Sequence, residues 1–400
     1  MNKNRGIIVS VIVTFIVTVA LCFSVMFMFT GDLFLSGDET TDTLLEKINQ
    51  INYLIDGKSI YELDKETAIE NALYSYVATL DDDYATYFDK DYYEDYLDEV
   101  RGAYSGIGAQ ILAPASDIIG ENGLFIYRVI GNSPAEKAGI QSTDSIIAVD
   151  GNSISGMTYN DAVNSILGDP GTSVTVTVRR GETSIDFTVT RESFLARDVD
   201  YKMIDGDIGF IRIHEFSSET AYSQFSEALD SLISEGATGF IFDVRNNPGG
   251  DYETVVNILN LLVDRDELVI LKYKDREEIE YSTGNRKTDL PCVVLINESS
   301  ASAAELFSSA LRDLNLAPLV GTTSYGKGVG QEYYELSDGS GLKFTTFHYM
   351  TKSRLDYDGI GLIPDYETEL TEEQKNYFYV LDETSDPQLI KALEVMDTLR

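Results

Sequence analysis

The sequence predicts an α/β protein in which a core of mixed sheets covered by helices is joined to an inserted β-rich domain with short helices. A helical N-terminal region and one N-terminal transmembrane helix complete the predicted fold class. Three observations carry the prediction. From Ile208 onward, apolar strands alternate with amphipathic helices, the pattern of a sheet covered on its faces. Short alternating strands and turns fill residues 101–194, and before them apolar residues recur at helical spacing.

The transmembrane helix is predicted from the first thirty residues. Lys3 and Arg5 precede an uncharged stretch at 6–30, and a helix needs about 20 apolar residues to cross a bilayer. Because the positive end stays in the cytoplasm, we expect a single-pass cell-membrane protein with a cytoplasmic N-terminus and with everything after Gly31 extracytoplasmic. A cleaved signal peptide is the alternative, but its apolar region is usually about 7–15 residues long. The length favours a retained membrane anchor.

Changes in composition along the chain predict its domain boundaries. The predicted segments are a cytoplasmic tail (1–5), a membrane anchor (6–30), a stalk (31–43), a helical region (44–100), a β-rich domain (101–195), an α/β core (196–370) and a C-terminal helical tail (371–400). Within the helical region, three adjacent aspartates at 81–83 lack the other ligands of a calcium loop. We interpret that stretch as a capped helix junction.

Charge and cysteine content exclude several classes of function. The 400 residues carry a net charge of -37 and no long basic stripe, so nucleic acid is a poor partner. The two cysteines, Cys22 and Cys292, lie in apolar runs and make neither a disulfide framework nor a zinc site plausible. We therefore expect no metal and no cofactor. The two histidines, His214 and His348, lie in predicted strands, where a structural role outweighs a catalytic one.

The β-rich segment resembles a PDZ domain. Gly106, Ile107, Gly108 and Ala109 form a turn before an alternating strand, followed by a Ser-Pro helix start and an Asp-Gly hairpin turn. A turn that exposes backbone N–H groups can bind the terminal carboxylate of a peptide, while the peptide adds a strand to the sheet. An ordinary turn is the alternative for this tetrapeptide taken alone. The resemblance implies that these four residues bind peptide C-termini.

Ser302 is the candidate nucleophile. It lies between an apolar strand at 291–297 and a helix that begins at Ala303, so its hydroxyl is near the positive end of the helix dipole. The unpaired N–H groups of the first helical turn can stabilise an oxyanion. The alternative is structural, because Ser302 and Glu305 have the spacing of a capping box.

Lys327 is the candidate base. It can accept a proton only when neutral, so its pKa has to fall from about 10.4 to about 7–8, which burial in an apolar pocket can achieve. Gly326 and Gly328 flank it, and Gln331 can orient its amine. A phosphate-binding loop is rejected because Gly328 stands where Ser or Thr has to hold magnesium.

A third stretch, at 243–250, closes another buried strand and ends in Asn-Pro-Gly-Gly. Such a loop is by default only a turn. Paired glycines at a strand end nevertheless expose N–H groups without side-chain obstruction, which suits an oxyanion donor.

These stretches together resemble the C-terminal processing peptidases, a family of PDZ-containing tail-specific serine proteases with a Ser-Lys dyad. The matching stretches lie at 83–87, 243–250, 297–305, 325–331, 359–365 and 386–388, in that order. The resemblance implies an α/β peptidase core, with Ser302 as nucleophile, Lys327 as base and Gln331 as its orienting partner. It also implies an oxyanion hole formed by the N–H groups of Gly249 and Ala303.

Two hypotheses of function follow. The first is a membrane-anchored serine endopeptidase that captures proteins with apolar C-terminal tails through its PDZ domain and cleaves them through an acyl-enzyme. The second is a catalytically idle PDZ scaffold on the outer membrane face. The presence of Ser302, Lys327 and Gln331 together favours the enzyme. The family resemblance and the terminal helices also predict a homodimer.

Overall fold

A computed structural model describes residues 39–112 and 118–400. The chain divides into two units between Ser75 and Tyr76, and each is described by itself. The first unit contains helix α1, Glu39–Lys58, and most of helix α2, Lys65–Val77. Helix α1 begins at Glu39, so part of the predicted stalk is helical. Lys65 Nζ lies 2.8 Å from the Asp56 carboxylate and joins the two helices.

The predicted transmembrane helix is the part of the fold class that the structure contradicts. Within residues 39–112 and 118–400, no helix has both the length and the apolar character that crossing a bilayer requires. Helix α1 is long enough, at 20 residues, but charged side chains such as Glu46 and Lys47 interrupt it. This finding overturns the predicted single-pass membrane location with an extracytoplasmic catalytic part. Residues 6–30, to which the anchor was assigned, lie outside the described residues.

The second unit is built around a sheet with the strand order β10-β11-β12-β15-β16-β19. Every residue of β12 and β15 is buried, as continuous apolar runs predict for central parallel strands. Strands β11, β12, β15, β16 and β19 run parallel, and β10 pairs antiparallel with β11. The strands are β10 (Val199–Ile204), β11 (Ile208–Ile213), β12 (Gly239–Asp243), β15 (Cys292–Ile296), β16 (Leu319–Gly321) and β19 (Tyr366–Glu367).

Helices cover both faces of this sheet. On one face, Phe225, Val255 and Phe307 pack against Phe240 and Phe242 of β12. On the other, the apolar face of the last helix packs against β11, β12, β15 and β16. The helices are α6 (Ala221–Glu235), α7 (Tyr252–Leu259) and α8 (Ala303–Asp313) on the first face and α10 (Pro387–Leu399) on the second; α9 (Glu372–Asn376) and a 3₁₀ turn (Phe378–Val380) precede α10.

A second, antiparallel sheet has the order β1-β18-β13-β14, with β17 also paired to β18. Its first strand comes from the acidic, tyrosine-rich stretch that we had interpreted only as a helix junction. Asp89 then caps the following helix by accepting from Tyr92 N–H at 2.9 Å. The elements are β1 (Thr86–Phe88), α3 (Lys90–Val100), β13 (Glu267–Tyr273), β14 (Glu277–Tyr281), β17 (Val329–Glu335) and β18 (Gly341–Met350).

The segment predicted to be a PDZ domain has its own apolar core and a sheet with the order β3-β4-β5-β7-β8, to which β6 adds beside β5. Ser133 caps the short helix α4, and Asp150 and Gly151 make the predicted hairpin turn, both with positive φ. Strands β2 and β9 pair at its base. The elements are β2 (Ala103–Gly106), β3 (Ala109–Ile111), β4 (Leu124–Val129), α4 (Pro134–Ala138), β5 (Ser145–Val149), β6 (Asn152–Ser153), α5 (Tyr159–Ile166), β7 (Ser173–Arg180), β8 (Thr183–Thr190) and β9 (Glu192–Leu195).

Candidate active site

Three loops meet at one edge of the main sheet because β12, β15 and β16 are parallel neighbours, so their carboxyl ends lie together. The loop after β12 ends in Gly249 and Gly250, the loop after β15 ends in Ser302, and the loop after β16 ends in Lys327. They border a cavity of about 360 Å³. Its lining includes Gly250, Ser302, Ala303, Lys327, Gln331 and Tyr349.

Ser302 stands in a strained backbone conformation, with φ 55° and ψ −118°, directly before helix α8. A non-glycine residue keeps such a conformation only when its surroundings hold it. Here the Ser302 N–H donates to the Glu305 carboxylate at 2.9 Å. The capping box that the spacing of Ser302 and Glu305 predicts is formed, and the Ser302 hydroxyl also lies 3.1 Å from the Tyr349 hydroxyl at the cavity. The serine side chain is therefore available to the cavity.

Tyr349 was not predicted as a site residue. Its hydroxyl donates to the Lys327 carbonyl oxygen at 2.8 Å and also hydrogen-bonds Ser302 Oγ, so it connects the two loops. Burial raises the pKa of this phenol, which therefore remains protonated as a donor. Tyr349 lies on β18, far from both loops in sequence, and an alternating strand gives no sign of such a contact.

Glu305 has a larger role than the capping residue that its spacing predicts. Its fully buried carboxylate accepts from Gly326 N–H at 2.7 Å, from Lys327 N–H at 2.8 Å and from the Ser324 hydroxyl at 2.5 Å, in addition to Ser302 N–H. Burial raises the pKa of Glu305, while the four hydrogen bonds act in the opposite direction. One carboxylate therefore fixes the serine turn against the lysine turn.

Lys327 extends its amine into the cavity. Among the described residues the Nζ atom has no hydrogen-bond or ion-pair partner, and it lies 4.4 Å from the centre of the Tyr84 ring. Burial lowers the pKa of Lys327 to about 8, and the positive charge of Lys343 acts in the same direction. Asp82 and Glu305 oppose the shift. A substantial fraction of this amine is consequently neutral near pH 8.

Gln331 lines the same cavity, and within the described residues its side chain hydrogen-bonds Thr345 and not Lys327. Its amide nitrogen donates to Thr345 Oγ1 at 3.0 Å. The Thr345 hydroxyl in turn donates to Asp82 at 3.0 Å, and its N–H donates to the same carboxylate at 2.7 Å. Gln331 is therefore oriented from the second sheet. Neither Thr345 nor Asp82 was predicted.

The two predicted oxyanion donors, Ala303 N–H and Gly249 N–H, differ in whether they already have a hydrogen-bond partner. Ala303 N–H belongs to the first turn of α8, where backbone donors have no partner within the helix. Gly249 N–H donates to the Asn247 side chain at 2.8 Å. Gly249 also packs so closely against the nucleophile turn that a Cβ atom there would lie 2.7 Å from Ser302 Cβ. Gly250 follows and lines the cavity.

A buried charge network supports the loop after β12. Asp243 accepts from Arg212 and Arg245, and Arg245 also donates to Asp386 and Gln388 at the start of α10. The guanidinium groups hold the pKa of Asp243 well below its usual range. Because every member is paired, the network can remain buried without an unsatisfied charge. It anchors the backbone immediately before Asn246.

Neither histidine of the chain lines this cavity. His214 Nε2 lies 2.8 Å from Asp200, and burial lowers its pKa to about 4. His348 is an exposed residue of β18. Both positions fit the structural roles that the sequence predicts.

The predicted peptide-binding turn lies at the start of the PDZ-like sheet. Gly106 and Gly108 have positive φ values of 127° and 77°, and Ile107 is buried. Carbonyl oxygens of Ile107 and Gly108 accept from Ala135 and Ile130 N–H, so the turn is fixed to the start of α4. It is separate from the cavity that contains Ser302.

Comparison with known proteins gives matches over most of the chain. Residues 207–368 match peptidase family S41, and residues 125–180 match the PDZ domain family. The carboxy-terminal processing protease CtpA of Bacillus subtilis (strain 168) is 33% identical over 390 residues, 96% of this chain and 81% of that protein.

Two solved structures show the same fold. The photosystem II D1 C-terminal processing protease is 25% identical with a TM-score of 0.53, covering 86% of this chain and 92% of that one. An S41 protease from Bacteroides fragilis NCTC 9343 is 17% identical with a TM-score of 0.62, covering 86% of this chain and 93% of that one.

Proposed function

Because this chain belongs to peptidase family S41 and is a serine protease of the carboxy-terminal processing type, we propose that Ser302 and Lys327 form its catalytic dyad. One observation carries the proposal: the two side chains border the same cavity, and the Glu305 carboxylate hydrogen-bonds the backbone of both. A strained serine at the start of a helix and a buried amine are what nucleophilic catalysis with a lysine base requires.

The lysine amine accepts the serine proton in its neutral form. With a pKa of about 8, Lys327 supplies this form near neutral pH without a histidine. The buried Glu305 lies beneath the turn and favours the ammonium that forms after proton transfer. Gln331 completes the arrangement: its amide nitrogen is held by Thr345, which leaves its amide oxygen to orient the ammonium.

The reaction proceeds by acyl transfer. Ser302 Oγ attacks the scissile carbonyl carbon as its proton passes to Lys327 Nζ, giving a tetrahedral intermediate. Lys327 then protonates the leaving amine, the C–N bond breaks and the acyl-enzyme remains. A water molecule attacks the ester, gives a proton to Lys327 and releases the new carboxylate product, and the proton returns to Ser302.

Backbone donors stabilise the negative oxygen of the tetrahedral intermediate. Ala303 N–H supplies one hydrogen bond from the helix start, and the glycine pair supplies the second. Gly249 is the donor that the family resemblance implies. Its N–H, which donates to the Asn247 side chain, is then shared between Asn247 and the oxyanion. The residues on either side of Gly250 hydrogen-bond Phe216: the Gly249 carbonyl oxygen accepts from Phe216 N–H, and Asp251 N–H donates to the Phe216 carbonyl oxygen. The N–H of Gly250 itself is not used in this pairing and can therefore donate to the oxyanion.

The PDZ domain recruits substrates by their C-termini. Strand β3 lies at the end of its sheet within the described residues, so its free edge can accept an added strand. The turn Gly106–Ala109 connects the end of β2 to the start of β3 and presents backbone donors to the terminal carboxylate. The buried Ile107 and the half-buried Ile111 favour proteins with apolar C-terminal tails as substrates.

We also propose that the enzyme is a homodimer. Helix α1 exposes several large apolar side chains, among them Leu45, Ile51 and Leu54, each at least 50% exposed. Burying such side chains against a second copy stabilises an assembly. Sedimentation at micromolar concentration is expected to give a dimer, and Leu45→Glu with Ile51→Glu is expected to give a monomer. A wild-type protein that sediments only as a monomer contradicts this.

The experiment that tests the dyad compares Ser302→Ala and Lys327→Ala with the wild type on labelled unfolded casein and on a fluorogenic peptide with an apolar free C-terminus. Both variants are expected to lose at least about a thousandfold in kcat. Ser299→Ala and Lys352→Ala serve as controls, because both side chains are exposed and neither lines the cavity.

Two outcomes test the nucleophile and the recruiting role of the PDZ domain. Wild-type cleavage by Ser302→Ala would remove Ser302 as the nucleophile. Amidation of the peptide C-terminus is expected to lower kcat/KM while leaving kcat nearly unchanged, because the proposed turn recognises a carboxylate. Equal kcat/KM for the free and amidated peptides contradicts the recruiting role of the PDZ domain.

A further inference from the structure

The segment from Asp82 to Phe88 forms a wall beside Lys327, outside the set of residues that line the cavity containing Ser302. Its strand β1 pairs antiparallel with β18, so that Thr86 lies opposite Lys343 and Phe88 opposite Gly341. The turn before β1 is thereby carried toward Lys327. This segment is separated from the serine and lysine loops by more than 200 residues of sequence.

Two side chains of this wall contact the catalytic groups or their partners. The Tyr84 ring lies over the Lys327 amine, with its centre 4.4 Å from Nζ. The Asp82 carboxylate accepts two hydrogen bonds from Thr345, whose hydroxyl accepts from the Gln331 amide. Tyr84 is partly buried, as is Asp82.

We propose that Tyr84 and Asp82 are positioning residues for the catalytic base: the Tyr84 ring shields the Lys327 amine from water, and Asp82 fixes Gln331 through Thr345. The inference rests on the proposed Ser-Lys dyad and assigns to this wall the control of the amine's protonation.

The ring has two opposing effects on the amine. Its π face attracts the ammonium by about 0.5–2 kcal/mol, whereas exclusion of water disfavours any charge and can shift a buried lysine by several pKa units. The pKa of Lys327 is lowered overall, with burial as the largest cause. We therefore expect the shielding by the ring to outweigh its attraction for the ammonium, so that removal of the ring favours the protonated amine.

Asp82 acts on the amine in the opposite direction, because its negative charge favours the ammonium. Other groups face the same amine and remain constant in the test. They are Lys343 on β18 and Glu305 on α8. Tyr349 contacts the Lys327 carbonyl oxygen, Tyr325 and Asp358 act on Tyr84, and Asp358 accepts from Gly328 N–H.

The test is the pH dependence of kcat/KM on labelled casein, whose rising limb reports the ionisation of the base in the free enzyme. Tyr84→Ala is expected to move this limb to higher pH, with about a tenfold loss near pH 7. Tyr84→Phe keeps the ring and is expected to leave the limb unchanged. Asp82→Asn is expected to move it to lower pH, with a gain of about threefold near pH 7, because the amide keeps an acceptor for Thr345.

Tyr366→Ala is the matched control, since it removes a tyrosine ring from a lysine contact at Lys391, 5.7 Å away, outside the site. A purely structural role for Tyr84 and Asp82 lowers kcat at every pH without moving the limb, and that result overturns the inference. Equal shifts in Tyr84→Phe and Tyr84→Ala overturn the shielding by the ring.

Two further outcomes also test the proposal. If Tyr84→Ala does not fold, as judged by thermal unfolding, Asp82→Asn carries the test, and a limb that stays or rises overturns the proposal. Ser302→Ala and Lys327→Ala are measured alongside. Their full activity refutes the dyad itself, whereas their inactivity together with an unmoved limb refutes only the role of the wall.

Discussion

The Tyr127 hydroxyl accepts a hydrogen bond from Asn246 Nδ2 at 2.7 Å, which joins strand β4 of the PDZ domain to the glycine loop of the peptidase core. Asn246 has a positive φ of 57° and is held on its other side by Asn297. The next residue, Asn247, accepts the Gly249 N–H. Tyr127 of the PDZ domain thus contacts a residue that stands three positions before Gly249, the glycine that packs on Ser302.

We predict that Tyr127→Phe lowers kcat while leaving capture of the substrate tail unchanged. The variant removes one hydrogen bond, worth about 1 kcal/mol, and keeps the ring that packs on Tyr379. The expected loss is about fivefold in kcat with an unchanged Kd for a tail peptide, measured by steady-state kinetics and fluorescence titration. Tyr159→Phe, in the PDZ helix α5, is the control. A changed Kd with an unchanged kcat contradicts the prediction.

The pH dependence of activity follows from the lowered pKa of Lys327. With that pKa near 8, the neutral fraction of the amine rises with pH and kcat/KM increases about tenfold per unit until it levels off above the pKa. The contribution of Lys327 to the free energy of unfolding also rises with pH. Between pH 8 and pH 10.5 the lysine of the unfolded chain, with a pKa of 10.5, is protonated more than the lysine of the folded protein, so raising the pH across this window stabilises the folded state. Stopped assays from pH 6 to pH 10 test the limb. A flat profile refutes the prediction.

Gly249→Ala is predicted to abolish cleavage. The added Cβ would lie 2.7 Å from Ser302 Cβ, and the residue has a φ of 111° that alanine rarely adopts. We expect a loss of about a hundredfold or more in kcat, as for loss of an oxyanion donor. Gly206→Ala is a matched control, because its φ is 86° but open space surrounds it. Equal activity losses in the two variants mean that backbone strain alone is responsible.

Arg245→Met is predicted to destabilise the core. The buried guanidinium pairs with Asp243 and Asp386, and its removal leaves two carboxylates without their main partner. We expect a loss of about 3–5 kcal/mol in the free energy of unfolding, measured by urea denaturation. Arg276→Met, which breaks an exposed pair with Glu278, is expected to leave the free energy of unfolding nearly unchanged. Similar effects of both substitutions contradict the prediction.

Sequence patterns predicted those parts of the site that lie next to buried strands. The apolar runs of β12 and β15 marked central parallel strands, and Gly249 and Ser302 follow them within a few residues. Since parallel strands bring their carboxyl ends together, the loops that carry these residues had to meet.

The unpredicted contacts come from the second sheet. Tyr349 and Thr345 lie on β18, and Tyr84 reaches the lysine only because β1 pairs with β18 across more than 250 residues. Such pairing depends on register, which a single strand pattern does not determine. Asp82 was misread as part of a helix junction because its partner, Thr345, is remote in sequence.

The pairing of Arg245 with Asp386 has a consequence for how the enzyme matures. The two residues are 141 positions apart, and a ribosome makes the arginine first. Until the acidic cap of α10 emerges, the cation beneath the glycine loop has only half of its counter-charge. The buried charge network beneath the glycine loop is therefore complete only after the carboxyl-terminal helix has been made.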